Sequence, residues 1–495
     1  MDIMYKSTRS DAAKITASQA ILKGLSPDGG LFVPEKIPAL DKSLAQLAEM
    51  SYQETAYEVM KLYLTDFAEE ELKGCIQSAY DEKFDTKLIA PIRKAGGAYY
   101  LELFHGATIA FKDMALSILP HLMTTSAKKN GVKNEIVILT ATSGDTGKAA
   151  LAGFADVPGT RICVFYPKGG VSAVQEKQMV TQTGDNTHVI GIHGNFDDAQ
   201  TGVKNIFSDK ELAAKMDAAG FQFSSANSIN IGRLVPQIVY YVYVYAQLLK
   251  QGEIAEGEKI NVCVPTGNFG NILAAYYAKL MGLPIGKLLC ASNENKVLYD
   301  FFGTGVYDRN REFILTSSPS MDILISSNLE RLIYRATGED QAACASLMRS
   351  LSENGKYEVT DEMKKALADF CGLTASEAEC FAKIRLLYET EGYVIDTHTA
   401  VAAASLDKYV KATGDQTKTV IASTASPYKF CRAVMTAIDD ANADKEDFAL
   451  IDDMARISGV VIPPAIEQIR TAPVRHNTQC DKTEMKQAVC QWLGV

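Results

Sequence analysis

The sequence predicts an α/β protein built on mainly parallel sheets, and two observations support this prediction. Several short apolar runs suit buried strands, and helix-like stretches stand between most of these runs. Parallel strands need such crossover connections. Sheets of this kind bind their ligands beyond the carboxyl ends of the strands. The residues that directly follow each strand are therefore candidates for a functional site. The candidate strands are short apolar runs at residues 135–141, 161–167, 188–194, 260–265 and 418–424.

The rest of the chain is expected to be largely helical. Apolar spacing predicts helices within 41–64 and 68–80, in a mostly helical N-terminal region. The most apolar stretch, 234–249, is short for a membrane span and is interrupted by polar residues and a proline, which favours a buried helix. We expect packing or surface helices at 340–390 and 432–495.

The composition and the cysteine and histidine spacing argue against several classes of function. The 60 acidic residues outnumber the 50 basic ones, the formal charge is −10, and the absence of a basic run argues against nucleic acid as a partner. The ten cysteines form no CxxC pair, and the first residues lack the apolar core of a signal peptide. Histidine spacing predicts no metal site, and His398 is expected to cap a helix. We expect a cytoplasmic monomer or homodimer that acts on a small molecule and binds no membrane.

The strongest local motif is V-P-T-G-N-F-G-N, residues 264–271, which follows a predicted strand and opens a helix-like stretch. Gly267 and Gly270 allow a tight turn, and the first amides of the helix would face a ligand with the helix dipole behind them. That arrangement suits a phosphate. A strand-to-helix turn that binds nothing would explain the glycines equally well.

A second glycine-rich turn, A-T-S-G-D-T-G-K, covers residues 141–148. It departs from the nucleotide-binding P-loop pattern, because the first glycine and the hydroxyl residue that would hold magnesium are both missing. Ser143, Thr146 and their amides could hold a carboxylate, and Asp145 could accept a hydrogen bond from an acidic hydroxyl. A capped helix start is the alternative.

Two further motifs complete the candidate site. In F-H-G-A-T-I-A-F-K-D, residues 104–113, Lys112 lies among mostly apolar residues, where desolvation would lower the pKa of its amine and allow imine formation. A surface lysine paired with Asp113 is the alternative. Ser423 and Thr424 place hydroxyls at the end of the last predicted strand. A phosphate turn, a carboxylate turn, an apolar lysine and a terminal hydroxyl are together what a protein needs to hold pyridoxal phosphate and an amino acid.

Motifs spread over nearly the whole chain carry a family resemblance. They are Y-K-S-T-R (5–9), F-H-G-A-T-I-A-F-K-D (104–113), T-A-T-S-G-D-T-G (140–147), V-S-A-V-Q-E-K-Q-M (171–179), S-A-N-S-I-N-I-G-R (225–233), P-T-G-N-F-G-N (265–271) and S-P-S-M-D-I (318–323). Their number and order resemble the threonine synthases, pyridoxal-phosphate enzymes of the tryptophan-synthase β-subunit fold type. Chain length and the S-A-N-S-I-N segment are typical of the longer bacterial and fungal branch.

The resemblance implies an α/β fold with two open, mainly parallel sheets flanked by helices and a mostly helical N-terminal region. The implied domains are an N-terminal domain at 1–97, a large cofactor-binding domain formed by 98–132 and 238–495, and a small α/β domain at 133–237. The cofactor domain is thus expected to be assembled from separated segments.

The resemblance also implies roles for individual residues. Arg233 is the best candidate for binding a phosphate on the substrate, because a guanidinium can fork onto phosphate oxygens. The other implied roles are imine formation at Lys112, cofactor-phosphate binding at Gly267, Asn268, Phe269, Gly270 and Asn271, contact with the pyridine nitrogen at Thr424, contact near the cofactor 3′-hydroxyl at Asp145, and binding of the substrate carboxylate at Ser143, Gly144 and Thr146.

Two positions depart from the family pattern. Ala107 stands where the family usually has proline, which is expected to change only the rigidity of the loop. Ser426-Pro427-Tyr428 replaces a common His-Pro-Ala and bears on the geometry near Thr424.

The activity implied by the resemblance is that of a lyase that converts O-phospho-L-homoserine and water to L-threonine and phosphate, the last step of threonine biosynthesis. A serine or threonine dehydratase, or another β-replacement enzyme of the same fold, is the nearest alternative and would lack a clamp for a substrate phosphate. An alternative of another class is a P-loop phosphotransferase, which the incomplete P-loop disfavours. A catalytically inactive relative that binds the cofactor is the third.

Overall fold

The structure is a computed structural model that describes residues 2–142 and 144–495. Strands among these residues are β1 (Tyr5–Ser7), β2 (Phe32–Pro34), β3 (Ile92–Ala95), β4 (Ala98–Glu102), β5 (Glu135–Ala141), β6 (Thr160–Pro167), β7 (Thr187–His193), β8 (Phe221–Ser224), β9 (Ile260–Pro265), β10 (Ile285–Ser292), β11 (Val306–Asp308), β12 (Lys356–Glu358), β13 (Phe370–Thr374), β14 (Thr419–Ser423) and β15 (Thr478–Asp481).

Helices flank these strands along the whole chain. They are α1 (Ala17–Lys23), α2 (Leu44–Ala48), α3 (Tyr52–Met60), α4 (Glu69–Ala79), α5 (Asp113–Leu116), α6 (Leu119–Lys129), α7 (Asp145–Phe154), α8 (Ala173–Val180), α9 (Phe196–Ser208), α10 (Lys210–Ala218), α11 (Ile231–Lys250), α12 (Gly270–Leu280), α13 (Val297–Thr304), α14 (Leu329–Ala336), α15 (Gln341–Asn354), α16 (Asp361–Ala366), α17 (Glu377–Glu391), α18 (Thr397–Thr413), α19 (Cys431–Ile438), α20 (Asp447–Ser458), α21 (Pro464–Thr471) and α22 (Met485–Leu493). Short 3-10 helices cover Pro319–Met321, Pro427–Phe430 and Asp440–Asn442.

The larger sheet has the strand order β13-β10-β9-β14-β4-β3. Its neighbouring strands are parallel, except that β3 and β4 pair antiparallel at one edge. The central strand β9 is buried along its whole length, as expected where helices cover both faces of a parallel sheet. The carboxyl ends of β9 and β14 place the V-P-T-G-N-F-G-N turn and Thr424 at the same edge of this sheet.

The smaller sheet is parallel throughout, in the order β15-β7-β6-β5-β8. The turn at 141–148 leaves its carboxyl edge, because β5 ends at Ala141. The predicted α/β class with two mainly parallel sheets is therefore confirmed.

Two strands lie outside the regions to which the predicted domain boundaries assign them. β3 belongs to the larger sheet, whereas the sequence places 1–97 in an N-terminal domain. β15 pairs with β7 of the smaller sheet, whereas the sequence places 238–495 in the large domain. Both are short edge strands with polar residues, so neither has the continuous apolar run of a central strand. Elsewhere the domain boundaries remain a prediction.

The prediction of helices alone at 340–390 and 432–495 is wrong at three strands. The first two, β12 and β13, lie in the former segment, and β15 lies in the latter. β13 and β15 each have a single neighbour, and their sequences, FCGLT and TQCD, lack the apolar run that identifies a central strand.

The N-terminal region is mostly helical, as predicted, with α1 to α4 and the antiparallel pair β1–β2. Each of α1, α2 and α3 begins with a capping box. Thr8 Oγ1 and the Arg9 guanidinium bind Glu330 at 2.6–2.8 Å, which anchors the Y-K-S-T-R segment to α14.

The most apolar stretch of the chain forms α11, which is buried on nearly all sides, as predicted. It packs against α2, α3 and α12. Within the described residues, no helix is both long and apolar enough to cross a membrane.

Candidate active site

The loop that carries Lys112, residues 103–112 and here called the lysine loop, pairs with the segment that follows β14. The Phe111 amide donates a hydrogen bond to the Thr424 carbonyl at 2.8 Å, and the Ser426 amide donates to the Ile109 carbonyl at 3.0 Å. The second contact uses only the backbone of Ser426, so the departure from the family pattern at this position does not alter it. Main-chain bonds therefore hold Lys112 and Thr424 side by side.

Polar contacts inside this loop fix its path. The Thr108 amide and hydroxyl both donate to the Asp113 carboxylate, at 2.8 and 2.5 Å. Gly106 must lack a side chain, because a Cβ there would lie 2.6 Å from Asp113 Cβ. These contacts hold the loop at Ala107 without the proline that is usual in the family.

Lys112 is nearly buried, with 11% of its side chain exposed. Its Nζ donates to Ser320 Oγ at 3.0 Å and lies 3.6 Å from Asp145 Oδ2. Burial lowers the pKa of the amine; the Asp145 charge opposes that effect, and the charges of Lys429 and Arg233 add to it. A lysine with a lowered pKa more readily supplies the neutral amine that imine chemistry requires.

Asp145 is engaged through both of its carboxylate oxygens. Oδ1 accepts a hydrogen bond from Gln175 Nε2 at 2.9 Å and lies 3.5 Å from Lys429 Nζ. Oδ2 accepts from Ser320 Oγ at 3.0 Å. Burial alone would raise the pKa of Asp145, but the charges of Lys429 and Lys112 hold it well below its usual value. Asp145 therefore stays ionised beside the Lys112 amine.

The turn after β5 leads directly into α7. Thr142 Oγ1 accepts the amides of Gly144 and Gly147 at 3.0 and 2.9 Å, and α7 has no side-chain N-cap. Thr146 lies half-buried in the first turn of this helix. The predicted residue Ser143 lies outside the described residues. Gly144 and Thr146 thus flank the aspartate that contacts the buried lysine.

The V-P-T-G-N-F-G-N turn opens α12 without a side-chain cap. Phe269 precedes the helix with a φ of 65°, in the left-handed region. Asn271 is buried; its Oδ1 accepts from the Tyr241 hydroxyl, whereas its Nδ2 has no partner among the described residues. A Cβ on Gly270 would have no neighbour closer than 3.5 Å, so there is open space beside this residue. An uncapped helix start and an unpaired buried donor fit a phosphate.

The segment at 318–328 packs onto this turn. A Cβ on Gly267 would lie 2.4 Å from the Ser320 carbonyl oxygen, so only glycine fits. Ser326 Oγ donates to the Gly267 carbonyl at 2.6 Å, and Asn328 Nδ2 donates to the Asn268 carbonyl at 3.0 Å. The segment that contacts Lys112 therefore also fixes the turn that opens α12.

Arg233 lies in the first turn of α11 and is 3% exposed. Its Nη1 donates to the Ala226 carbonyl at 3.1 Å, and its Nε has no partner among the described residues. Burial lowers the pKa of the guanidinium to about 10. A buried cation held only by a carbonyl is costly, which makes Arg233 suited to an anionic ligand.

Two other lysines lie close to this site. The Lys429 side chain is fully buried, and its Nζ donates to a backbone carbonyl of the lysine loop at 2.9 Å and lies 3.5 Å from Asp145. Lys148 Nζ donates to Gln182 Oε1, and burial lowers its pKa to about 8. Of these three lysines, Lys112 is the one whose amine donates to a side-chain hydroxyl, that of Ser320.

Sequence reasoning missed the residues around the lysine amine. Ser320 lies in the S-P-S-M-D-I motif, to which no chemistry was attached. The expectation that His398 caps a helix is wrong, because Asp396 is the N-cap of α18 and accepts the Thr399 amide at 3.1 Å. His398 Nε2 instead accepts the Ser320 amide at 3.1 Å. These segments are far apart in sequence, so no local spacing could have identified the contact.

The residues present fit pyridoxal phosphate. The start of α12 and the unpaired Asn271 donor suit its phosphate, Lys112 suits its aldehyde, and the buried Thr424 lies beside the lysine loop. Within the described part of the chain, no group of His, Cys, Asp or Glu side chains could hold a metal ion.

Three family models match successive parts of the chain, and the second and third overlap at 399–425. The model for the threonine synthase N terminus matches residues 4–80, that for pyridoxal-phosphate dependent enzymes matches 87–425, and that for the threonine synthase C-terminal region matches 399–483. The second of these alone covers more than half of the chain.

The chain is also similar to individual proteins. It is 36% identical over 486 residues to the threonine synthase of Saccharomyces cerevisiae, which covers 92% of this chain and 93% of that protein. It is 41% identical over 437 residues to threonine synthase-like 1 of Homo sapiens, covering 85% of this chain but only 58% of the human protein. A crystal structure of PLP-bound threonine synthase from Brucella melitensis matches with a TM-score of 0.88 at 32% identity, covering 100% of both chains.

Proposed function

The chain belongs to the threonine synthase family of pyridoxal-phosphate-dependent enzymes, and we propose that it converts O-phospho-L-homoserine and water to L-threonine and phosphate. The observation that carries this proposal is a nearly buried lysine, Lys112, accompanied by two separate anion-binding places: the uncapped start of α12 and the buried Arg233 guanidinium. The first suits the phosphate of the cofactor. The second suits a phosphate on the substrate, which a dehydratase substrate would lack.

The proposed roles of the individual residues follow from their contacts. Asp145 would contact the cofactor near its 3′-hydroxyl and would also hold the Lys112 amine, because its Oδ2 lies 3.6 Å from Nζ and accepts the Ser320 hydroxyl that binds this amine. The remaining roles are cofactor-phosphate binding by Gly267, Asn268, Phe269, Gly270 and Asn271, contact of Thr424 with the ring nitrogen, substrate-carboxylate binding by Gly144, Thr146 and Ser143, and substrate-phosphate binding by Arg233.

Proton transfer at one amine and binding of one phosphate would account for the chemistry that the chain supplies. When bound, pyridoxal phosphate withdraws electrons from the substrate α-carbon and so makes its proton acidic. Neutral Lys112 Nζ would take that proton and later return it. Removal of a second proton, from Cβ, would let the bond from Cγ to oxygen break, with Arg233 holding the phosphate that leaves. Cγ would then gain a proton and become the methyl group, and water would give its hydroxyl to Cβ and its proton to the phosphate. A neutral hydroxyl at Thr424 would not enforce protonation of the ring nitrogen as an aspartate would.

We further propose that the protein is a cytoplasmic enzyme and a monomer or homodimer. Its ten cysteines are free, which suits a reducing compartment. Light scattering on the purified protein distinguishes the two assemblies, and any larger assembly would contradict the proposal.

Product analysis tests the proposed reaction. The protein is incubated with pyridoxal phosphate and O-phospho-L-homoserine, and phosphate, threonine, ammonia and 2-oxobutyrate are quantified. We expect phosphate and threonine in equal amounts. Phosphate accompanied by 2-oxobutyrate and ammonia would mean elimination without addition of water. In parallel incubations with serine or threonine, consumption of either amino acid without any reaction of O-phospho-L-homoserine would indicate a dehydratase. Either result would overturn the proposal.

A further inference from the structure

The Ser320 hydroxyl lies between the Lys112 amine and the Asp145 carboxylate. Its Oγ accepts a hydrogen bond from Lys112 Nζ and donates one to Asp145 Oδ2, each at 3.0 Å. The direct distance from Lys112 Nζ to Asp145 Oδ2 is 3.6 Å, which is too long for a strong hydrogen bond. The serine hydroxyl therefore mediates the contact between amine and carboxylate.

The backbone of Ser320 is fixed from outside the site. Its amide donates to His398 Nε2 at 3.1 Å, and His398 Nδ1 lies 2.8 Å from Asp396 Oδ2. Because Nε2 accepts a hydrogen bond, the ring proton lies on Nδ1 and is donated to Asp396. Asp396 is itself the N-cap of α18. The start of this helix thus sets the position of Ser320, independently of Lys112.

We propose that Ser320 is a positioning residue that orients the Lys112 amine against Asp145 for reaction with cofactor and substrate. The inference rests on the proposed function, because it presupposes that Lys112 is the reacting amine, and it adds a residue to which the motif chemistry gave no role. In Ser320→Ala the buried amine would lose its hydrogen-bond acceptor and hence its fixed direction. The other charged groups that face it, Asp145 of α7, Lys429 of the 3-10 helix after β14 and Arg233 of α11, would remain.

The pH dependence of cofactor binding tests this proposal. Full-length protein stripped of cofactor is mixed with pyridoxal phosphate at a series of pH values, and the rate at which the visible absorption band appears reports the neutral fraction of Lys112. Because the hydroxyl stabilises the ammonium form, we expect Ser320→Ala to lower the pKa of Lys112 and shift the profile by at least about half a unit to lower pH. The maximal rate should fall about tenfold, because the amine is no longer held in one orientation.

Two variants serve as controls for this measurement. Ser320→Thr keeps a hydroxyl and should restore the wild-type profile. Ser317→Ala removes a hydroxyl three residues earlier, which donates to Glu377 instead, so its profile should equal that of the wild type. An unchanged or upward-shifted profile in Ser320→Ala, in a protein with the wild-type circular dichroism spectrum, would overturn the proposal.

Turnover gives a second readout. We expect Ser320→Ala to lower kcat about 10- to 100-fold while KM for O-phospho-L-homoserine changes less than about threefold, because the hydroxyl contacts the lysine and neither anion-binding place. A rise in KM with unchanged kcat would contradict the positioning role. Should the wild-type protein form the visible band without converting this substrate, the proposed function fails, while the comparison of pH profiles still decides the role of Ser320.

Discussion

The surroundings of Lys112 favour the neutral form of its amine. Burial lowers the pKa of the amine, the charges of Lys429 and Arg233 act in the same direction, and Asp145 opposes them from 3.6 Å. The apolar neighbours of Lys112 in the sequence predict the burial. The two cationic charges come from distant segments and depend on the fold.

Replacement of Lys112 tests its role directly. We predict that Lys112→Ala lowers threonine formation about 10³-fold or more and abolishes the visible band of bound cofactor, because no other amine takes its place. Lys128→Ala, at an exposed lysine of α6, should retain both properties. Threonine formation by Lys112→Ala at a rate near that of the wild type would show that another group carries the reaction.

Replacement of Arg233 tests the proposed binding of substrate phosphate. We predict that Arg233→Ala raises KM for O-phospho-L-homoserine about 10- to 100-fold, the size expected for loss of charge-assisted hydrogen bonds, and weakens inhibition by inorganic phosphate. Arg349→Ala, at an exposed arginine of α15, is the matched control. An unchanged KM would place the substrate phosphate elsewhere.

At the scale of elements, the turn from β9 to α12 depends on its close packing against the 318–328 segment. We predict that Gly267→Ala weakens cofactor binding at least about tenfold, because the new Cβ would lie 2.4 Å from the Ser320 carbonyl oxygen and would displace the turn. Gly303→Ala, in α13 where nothing lies within 4 Å of a Cβ, should bind the cofactor as the wild type does. Equilibrium titration of both variants makes the comparison, and equal affinities would contradict the packing.

His105, near the start of the lysine loop, lies between the carboxylates of Asp85 and Glu102. His105 Nδ1 lies 2.6 Å from Asp85 Oδ1, and His105 Nε2 lies 3.1 Å from Glu102 Oε2. Burial alone would lower the pKa of His105, but these carboxylates raise it from 6.5 to about 9. The contact therefore stabilises the folded state fully below pH 6.5, and this stabilisation is lost as the pH rises to about 9.

The same contact predicts a pH-dependent stability. Between these two pH values the free energy of unfolding should fall by about 1–3 kcal/mol on account of His105, with screening by water at Asp85 favouring the lower end. His105→Gln should remove most of this fall. Denaturant unfolding of both proteins across the window measures the effect, and parallel pH dependences would refute it.

At the scale of the whole molecule, the end of the chain completes the smaller sheet. β15 pairs with β7, and α22 buries Val489 and Leu493 in the core of this sheet. Trp492, the single tryptophan, stacks on His188 with ring centroids 5.3 Å apart. Its fluorescence therefore reports on the packing of α22 against the smaller sheet.

This packing predicts the effect of a small core truncation. Val489→Ala should lower the free energy of unfolding by about 1–2 kcal/mol, because two buried methyl groups are removed from a fully buried position. Gln487→Ala, at an exposed position of the same helix, should have almost no effect. Unfolding followed by Trp492 fluorescence compares the two, and equal stabilities would argue against a packed α22.

Local features of this chain could be predicted from the sequence, whereas features that depend on distant segments could not. β5, β6, β7, β9 and β14 are recognisable because buried parallel strands are continuous apolar runs, and the site motifs follow three of them. The edge strands β13 and β15 carry no such run. Ser320 and His398 approach the lysine only through the fold, so their contacts could not be predicted from local patterns.

The most direct test of the central claim, that this site forms threonine with pyridoxal phosphate bound at Lys112, follows the visible absorption of the purified protein while O-phospho-L-homoserine is added. We predict a band in the violet that changes on addition, in step with the appearance of phosphate and threonine. A protein without this band in excess pyridoxal phosphate would contradict the interpretation of Lys112 and of the α12 turn together. A band that does not respond to the substrate would contradict the assignment of the reaction.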